Sequence, residues 1–389
     1  MLSTEGWAYA STPPRGAGDP GRFHALFGRD SLICALQVLP ERPEVARATL
    51  RAHAALLGRE EDPDTFEEPG KVVHEWREEP PATLVERGWP ADERPFRYYG
   101  SADATAWFLI VLAAVGDRAL AAELDSAWRA AAGWLERALA RGEGLVRYGP
   151  GPRAGGLTQH GWRDTVDPAG PRDGGGGILH PDGRVPAYPL ADADVQAAAH
   201  AALRAVAQLS GEARWRAAAE HLQGRIGEAF DPETMAVEPG GARVTGAGSQ
   251  LGWLLWADAL PAGAAREAAA ARLCEPDILT AHGLRTLSAR APHFDAHAYH
   301  RGSIWPFDSW LGWGGLRAAG RTVEAELIRT GVEAALDALG DAPELYAVTA
   351  SGRLEAIALS NFVQAWTIGA RSAFAAGWDG RVAGASPWR

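Results

Sequence analysis

The chemistry-bearing residues of this chain gather in short stretches rich in glycine and proline. They are LFGRDS (26–31), EEPGKVVHEWRE (67–78), RYYGSADAT (97–105), QHGWRDTVD (159–167), HPDGRVPA (180–187), AYHRGSIWPFD (298–308), DAPELYAV (341–348) and SNFVQAW (360–366). These stretches carry carboxylates, arginine, histidine and tryptophan, the side chains that glycoside hydrolysis uses. One carboxyl must hold a proton for the leaving oxygen, while a second, ionised one activates water or attacks the sugar. Asp164 closes GWRD, beside Trp162 and Arg163, where an ordinary turn aspartate is the competing reading. Glu344 follows Pro343 in another loop, where a solvated surface glutamate competes. Spacing alone does not choose these two from 49 acidic residues.

Other chemistries find less support. Serine and cysteine are scarce beside histidine in these loops, so a nucleophilic triad is not expected. No HExxH or CxxC pattern is present, and His293 and His297 have no helical glutamate between them, so no metal and no cofactor is expected. Gly174–Gly177 follows no strand and reads as a flexible turn rather than a phosphate cradle. The 38 basic residues against 49 acidic ones, a net charge of −11, argue against a nucleic-acid partner. No uncharged apolar run of membrane-spanning length occurs. Only Cys34 and Cys274 are present, and Met1–Ala10 has no cationic leader, so the expected compartment is the cytoplasm. The sequence does not address oligomeric state.

Something must hold these loops together, and the intervening sequence reads as paired helices. The expected pairs are 31–39 with 44–57, 104–115 with 119–140, 191–209 with 213–230, 250–259 with 264–273, and 305–319 with 322–339. A last helix spans 361–375, and glycine or proline stands at each break. The first helix of a pair is apolar nearly all round, as in WFLIVLAAV, and the second is amphipathic. Enclosed helices alternating with half-wet ones predict two concentric rings. A short helix at Ser3–Ala10 would be the twelfth. The expectation is therefore an all-α (α/α)6 toroid with minor β content in loops, residues 1–389 forming a single catalytic domain. Connections within pairs are short and those between pairs long, so the long loops converge on one mouth.

Those segments, in this order, resemble the bacterial glycogen debranching enzyme-like proteins, the amylo-α-1,6-glucosidase group of (α/α)6 glycosidases. The likeness extends over nearly the whole chain and is carried by FGRDS, PGKVVHEWR, YYGSADAT, GWRD with HPDGR, LGWLLW with GLRTLS, YHRGSIWPFD, PELY and SNFVQAW. It implies exo-acting cleavage of an α-linked glucoside with inversion. Asp164 falls on the family's general acid and Glu344 on its general base. The resemblance also assigns Arg29, Asp30, His74, Glu75, Arg77 and Asp103 to the sugar pocket, with Trp162, Arg163, Trp305, Asp308 and Trp366. The expected partner is an oligosaccharide or glucoside.

The chain departs from that pattern in places. Asp194 stands where glutamate is usual, and Arg301 where asparagine is common. The transferase and β-domains of larger relatives are not seen, so a small oligosaccharide or glycoside is expected beside glycogen. The alternatives are a trehalose- or glycosyl-glycerate-cleaving (α/α)6 enzyme and a non-catalytic carbohydrate-binding relative. A sugar epimerase of the same architecture needs paired histidines that are not evident. Lys71 is the only lysine and Asn361 the only asparagine, so both are expected at or just behind the pocket.

Overall fold

The computed structural model describes residues 1–13, 23–86, 88–153, 155–170 and 176–382, so Gly174 and Gly175 of the glycine run lie outside the described residues. Its helices are α1 (Gly28–Gln37), α2 (Pro43–Ala55), α3 (Ala82–Val85), α4 (Ala104–Val115), α5 (Arg118–Glu123), α6 (Asp125–Arg141), α7 (Ala193–Ser210), α8 (Ala213–Ala229), α9 (Gln250–Trp256), α10 (Ala264–Leu273), α11 (Pro306–Ala318), α12 (Thr322–Leu339) and α13 (Ala365–Ala376). The inner ring closes on itself: α1 packs on α4, α4 on α7, α7 on α9, α9 on α11, α11 on α13 and α13 on α1. Helices α2, α6, α8, α10 and α12 lie outside it. This is the (α/α)6 toroid. Inner helices are buried almost throughout, and α4 shows why: ATAWFLIVLAAV has no charged position to turn outward. The amphipathic α6 buries only one stripe, including Trp128, Ala131, Trp134, Leu135 and Ala138.

Four local expectations are corrected. The stretch expected as one helix over 119–140 breaks at Leu124; Asp117 caps α5 through the Ala119 and Leu120 amides, and Asp125 opens α6 with a negative charge in its first turn. Helix α9 ends at Trp256, because Asp258 takes a left-handed conformation (φ 59°) and its carboxylate is held by Arg204 and Arg266. Helix α13 begins at Ala365 rather than residue 361, its preceding residues being paired with the loop at Ala342–Glu344. The N-terminal helix is absent. Gly6 (φ 88°) turns the chain so that Leu2 bridges Ala8, and Ala10 pairs with Ala25 and Ala365 instead. That segment packs Ala8 against Cys34, Val45 and Ala365, between α1, α2 and α13.

Connections within pairs are short, at 38–42, 116–117, 211–212, 257–263 and 319–321. The long ones all lead into inner helices, which brings their ends to a single mouth. Two small sheets brace it there: β1 (Leu26–Phe27), β2 (Glu75–Arg77) and β3 (Phe96–Tyr98) are antiparallel in that order, and β4 (Ala191–Asp192), β5 (Thr234–Val237) and β6 (Arg243–Thr245) likewise. Hairpins β7–β8 (Leu279–Thr280, Gly283–Leu284) and β9–β10 (Tyr346–Val348, Leu354–Ala356) complete the strands. At the other end, Trp378–Arg381 crosses the ring. The Trp378 indole donates to the Leu36 carbonyl (2.7 Å), Trp310 to the Trp378 carbonyl (2.8 Å) and Trp256 to the Asp379 carbonyl (2.6 Å). Among the described residues no helix is long and apolar enough to cross a membrane.

The crossing of α9 and α11 depends on glycine. A Cβ on Gly252 of α9 would lie 2.6 Å from the Gly312 Cα of α11, and one on Gly315 would lie 2.5 Å from the Gly252 carbonyl. Both obstacles are backbone, so no side-chain rotation relieves them. Gly252→Val is expected to destabilise the protein by about 1–3 kcal/mol, as overpacking does. Urea unfolding should show a lower midpoint at an unchanged slope, and an unshifted midpoint would mean that the two helices can part at little cost.

Candidate functional site

Gly28 decides where α1 starts. Its amide donates to the His74 carbonyl (2.9 Å), and a Cβ there would sit 2.2 Å from the Val73 carbonyl. The first turn of α1 is therefore pressed against Val73 and His74, just before β2, and Arg29 and Asp30 follow at once. Arg29 is 2% exposed, and its guanidinium is fully engaged: Nε donates to Asp103 (2.8 Å), Nη1 to Asp164 (2.9 Å) and Nη2 to the Gly161 carbonyl (2.8 Å). Asp103 is held in turn by the Ser101 hydroxyl (2.8 Å) at the start of α4.

Asp164 sits near the end of a tight loop closed by the bridge between Gln159 and Thr165. Its side chain keeps 25% exposure while Arg29 takes one oxygen, and His74 Nε2 stands 4.0 Å from that same oxygen. Burial pushes the Asp164 carboxyl above the usual aspartate range, with Arg29 opposing the shift. Burial and the Arg29 charge hold His74 well below its ordinary value, hence neutral, and its Nδ1 has no protein partner. Glu75 pairs with Arg77, and burial raises its pKa.

The second carboxylate has a different setting. Glu344 is 1% exposed and lies in the loop between α12 and β9. It accepts from the Tyr299 hydroxyl and from both the backbone and side-chain amides of Asn361 (3.3 Å each). The Asn361 amide also reaches Gln364 Oε1 (3.2 Å), and Gln364 Nε2 donates to Asp30 (3.3 Å). Burial pushes Asp30 up to about 7. The two carboxylates thus hang from adjacent residues of α1, Asp164 from Arg29 directly and Glu344 from Asp30 by relay.

The aromatic candidates join the two halves. Trp162 stacks on Trp253 (6.1 Å) and meets Trp305 edge-on (5.5 Å); Trp305 meets Trp366 (5.8 Å), which stacks on Phe307 (3.9 Å). Trp366 Nε1 and Asn361 Oδ1 are buried polar atoms with no protein partner. Arg163 and Asp308 lie deeper. Arg163 turns away from Asp164, stacks on Trp162, pairs with Asp194 and donates to Ser249 (2.9 Å). Asp308 accepts from Trp253 Nε1 (2.6 Å), and burial pushes it up to about 6.

Arg29, Asp103, His74 and Asp164 therefore come together, Asp30 and Glu344 are linked through Gln364 and Asn361, and Arg163, Asp308 and Trp305 serve the packing underneath. Asn361 is at the carboxylate, as its rarity suggested. Lys71 is farther out, paired with Glu68 (3.6 Å) and donating to the Phe66 carbonyl (3.0 Å) behind the wall formed by Tyr98 and His160. Sequence reasoning missed Tyr299 and Gln364 as partners of the pair, although both lie inside quoted motifs, AYHRGSIWPFD and SNFVQAW. His297 binds Glu355 (2.8 Å), and no group of three side chains able to hold a metal occurs among the described residues.

The family model described as the mannosylglycerate hydrolase MGH1-like glycoside hydrolase domain matches residues 67–344, a span that contains Asp164 and ends on Glu344. Among solved structures, the GH63 mannosylglycerate hydrolase of Thermus thermophilus in complex with Tris is similar, with a TM-score of 0.69 at 16% identity, covering 96% of this chain and 97% of that one. The same enzyme with Tris and D-glycerate gives 0.67 at 16% over 96% and 97%, and with glucose 0.63 at 17% over 95% and 97%. No curated protein matches the sequence.

Buried acids under the site make stability depend on pH. A carboxyl raised from its ordinary value to about 6, as Asp308 is, keeps its proton in the fold where the unfolded chain has lost it. Its contribution is complete below about pH 4 and disappears as pH rises to about 6 and beyond. Asp308→Asn should remove that decline. Between pH 4 and 7 the wild type should lose on the order of a few kcal/mol relative to the variant. Parallel stability–pH curves from urea titrations would contradict the burial argument.

Proposed function

This chain belongs to the mannosylglycerate hydrolase MGH1-like glycoside hydrolase family, and on that footing we propose an inverting, exo-acting α-glycosidase for small glycosides of the glycosyl-glycerate type. An α-1,6 branch of a glycogen-like polymer is the less favoured substrate, since the family and the structural neighbours named above carry mannosylglycerate hydrolase in their names. The observation that carries the reading is the pair of dissimilar carboxylates tied to adjacent residues of α1. Asp164 is partly open and raised by burial, as a proton donor requires. Glu344 is enclosed and aimed by three hydrogen-bond donors, which suits a fixed acceptor.

In this reading Asp164 gives its proton to the glycosidic oxygen as the bond to the anomeric carbon breaks. Glu344 takes a proton from a water that attacks the same carbon from the opposite face. The water oxygen ends on the sugar, the aglycone leaves as an alcohol, and the two carboxyls have exchanged one proton by way of substrate and water. Such a mechanism needs roughly 6.5–9.5 Å between the carboxyls, against about 5 Å for a covalent intermediate. Arg29 keeps Asp164 oriented, at the cost of some of its basicity. His74 Nδ1, Trp366 Nε1 and Asn361 Oδ1 are buried polar atoms without protein partners, well suited to sugar hydroxyls.

Hydrolysis should be screened across α-glucosyl- and α-mannosylglycerate, trehalose, isomaltose and limit dextrin. The glycerate glycosides are expected to react fastest. Asp164→Asn and Glu344→Gln should each slow turnover by at least ~10²-fold, the scale of positioned acid–base catalysis. Near-normal turnover in either variant would remove that residue from the mechanism. Proton NMR early in the reaction of an α-linked substrate should show the released sugar as its β-anomer. An initial α-anomer would mean retention and would exclude inversion.

A further inference from the structure

Arg29, Arg77, Arg163 and Arg301 lie in the motif stretches around the two carboxylates, and the first three are already committed. Arg29 is spent on Asp103, Asp164 and Gly161, Arg77 pairs with Glu75, and Arg163 pairs with Asp194. Arg301 differs. Among the described residues its one side-chain hydrogen bond is a long contact from Nη2 to the Gly170 carbonyl (3.3 Å), its Nε is buried without an acceptor, and no carboxylate lies within ion-pair distance. Asp295 attracts it from farther off, burial holds His293 and His300 below their ordinary pKa values with Arg301 adding to the shift, and burial opposes its own charge. A guanidinium partly withdrawn from water without an anion is costly to keep.

Its position gives that charge a use. Two residues earlier, Tyr299 holds Glu344 through its hydroxyl, so the backbone of this segment is anchored on the base side. The Arg301 side chain then reaches Gly170, in the segment that continues from Asp164. The glycosidic oxygen that Asp164 protonates belongs to the aglycone, so the leaving group must lie on the Asp164 side of the scissile bond. Arginine presents a planar fork suited to a carboxylate.

We infer that Arg301 is the cationic anchor of the leaving-group subsite and selects glycosides whose aglycone is a small hydroxy acid. The inference rests on the glycosyl-glycerate reading above and adds the residue that enforces it. Loss of the fork removes a charge-assisted contact available only to the acidic aglycone, whereas a purely structural role at Gly170 affects acidic and neutral substrates alike.

The test uses the full chain and two α-glycosides of the same sugar, one of D-glycerate and one of glycerol. The sugar is whichever of glucose and mannose the wild type prefers. Wild type should favour the acid in kcat/KM. In Arg301→Gln the acid-to-neutral ratio should fall by at least roughly tenfold, the scale of one charged hydrogen bond, and Arg301→Lys should retain part of it. An unchanged ratio in the Gln variant overturns the role of Arg301, whatever happens to the absolute rates. A wild type that does not favour the acid overturns the substrate reading itself, and this is seen before any variant is made. If Arg301→Gln folds poorly, the Lys variant and product inhibition decide. D-glycerate should inhibit wild type far better than glycerol and lose part of that advantage in Arg301→Lys, and equal inhibition of wild type by the two, or an undiminished advantage in the Lys variant, overturns the inference.

Discussion

One buried guanidinium holds three parts of the molecule in register. Arg29 belongs to α1, Asp103 precedes α4, and Asp164 with Gly161 belongs to the loop that leads to α7. Without Arg29, two carboxylates would face each other in a poorly solvated space, and the loop tip would lose a firm attachment to the inner ring. Burying such a group adds little net stability compared with an apolar core, but removing one partner typically costs about 3–5 kcal/mol. The surrounding acids hold Arg29 above its ordinary pKa, so its charge is permanent. The arrangement favours fixed geometry over stability.

Asp30, the next residue, extends the same control to the far side of the mouth. It accepts from Gln364 at the entrance to α13, Gln364 accepts from Asn361, and Asn361 donates to Glu344. Arg29 and Asp30 share one turn of helical backbone, so a displacement of α1 disturbs both carboxylates together. Gly28 explains how tightly that turn is seated, because any side chain there would collide with the Val73 carbonyl.

The ring interior below is unusual in mixing aromatics with ionisable groups. Arg163 balances Asp194, Tyr148 donates to Asp192 (2.6 Å), and Trp253 donates to Asp308, while indoles fill the space between. Burial raises both Asp192 and Asp194, and neighbouring carboxylates add to the shift. Water is scarce in such a floor, which strengthens every electrostatic interaction above it. The same floor keeps Arg163 away from Asp164, so the arginine beside Asp164 in sequence does not neutralise it, and the arginine that touches it comes from 135 positions away.

Periodicity and breakers were enough to reveal the helices, because both act within a few residues. The alternation of wholly apolar and amphipathic helices implied two rings, since it reports which faces meet water. Local rules misjudged places where a distant partner outweighs propensity: Gly6 and the pairings of Ala10 replace the N-terminal helix, and the partners of Asn361 and Gln364 delay α13. Asp164 and Glu344 stood out only through their motifs, and nothing near them in the chain said which arginine, tyrosine or amide would reach them. Those choices join residues as far apart as Asp30 and Gln364, 334 positions in sequence. Ring closure alone makes such residues neighbours, so their hydrogen bonds, burial and shifted pKa values belong to the tertiary structure.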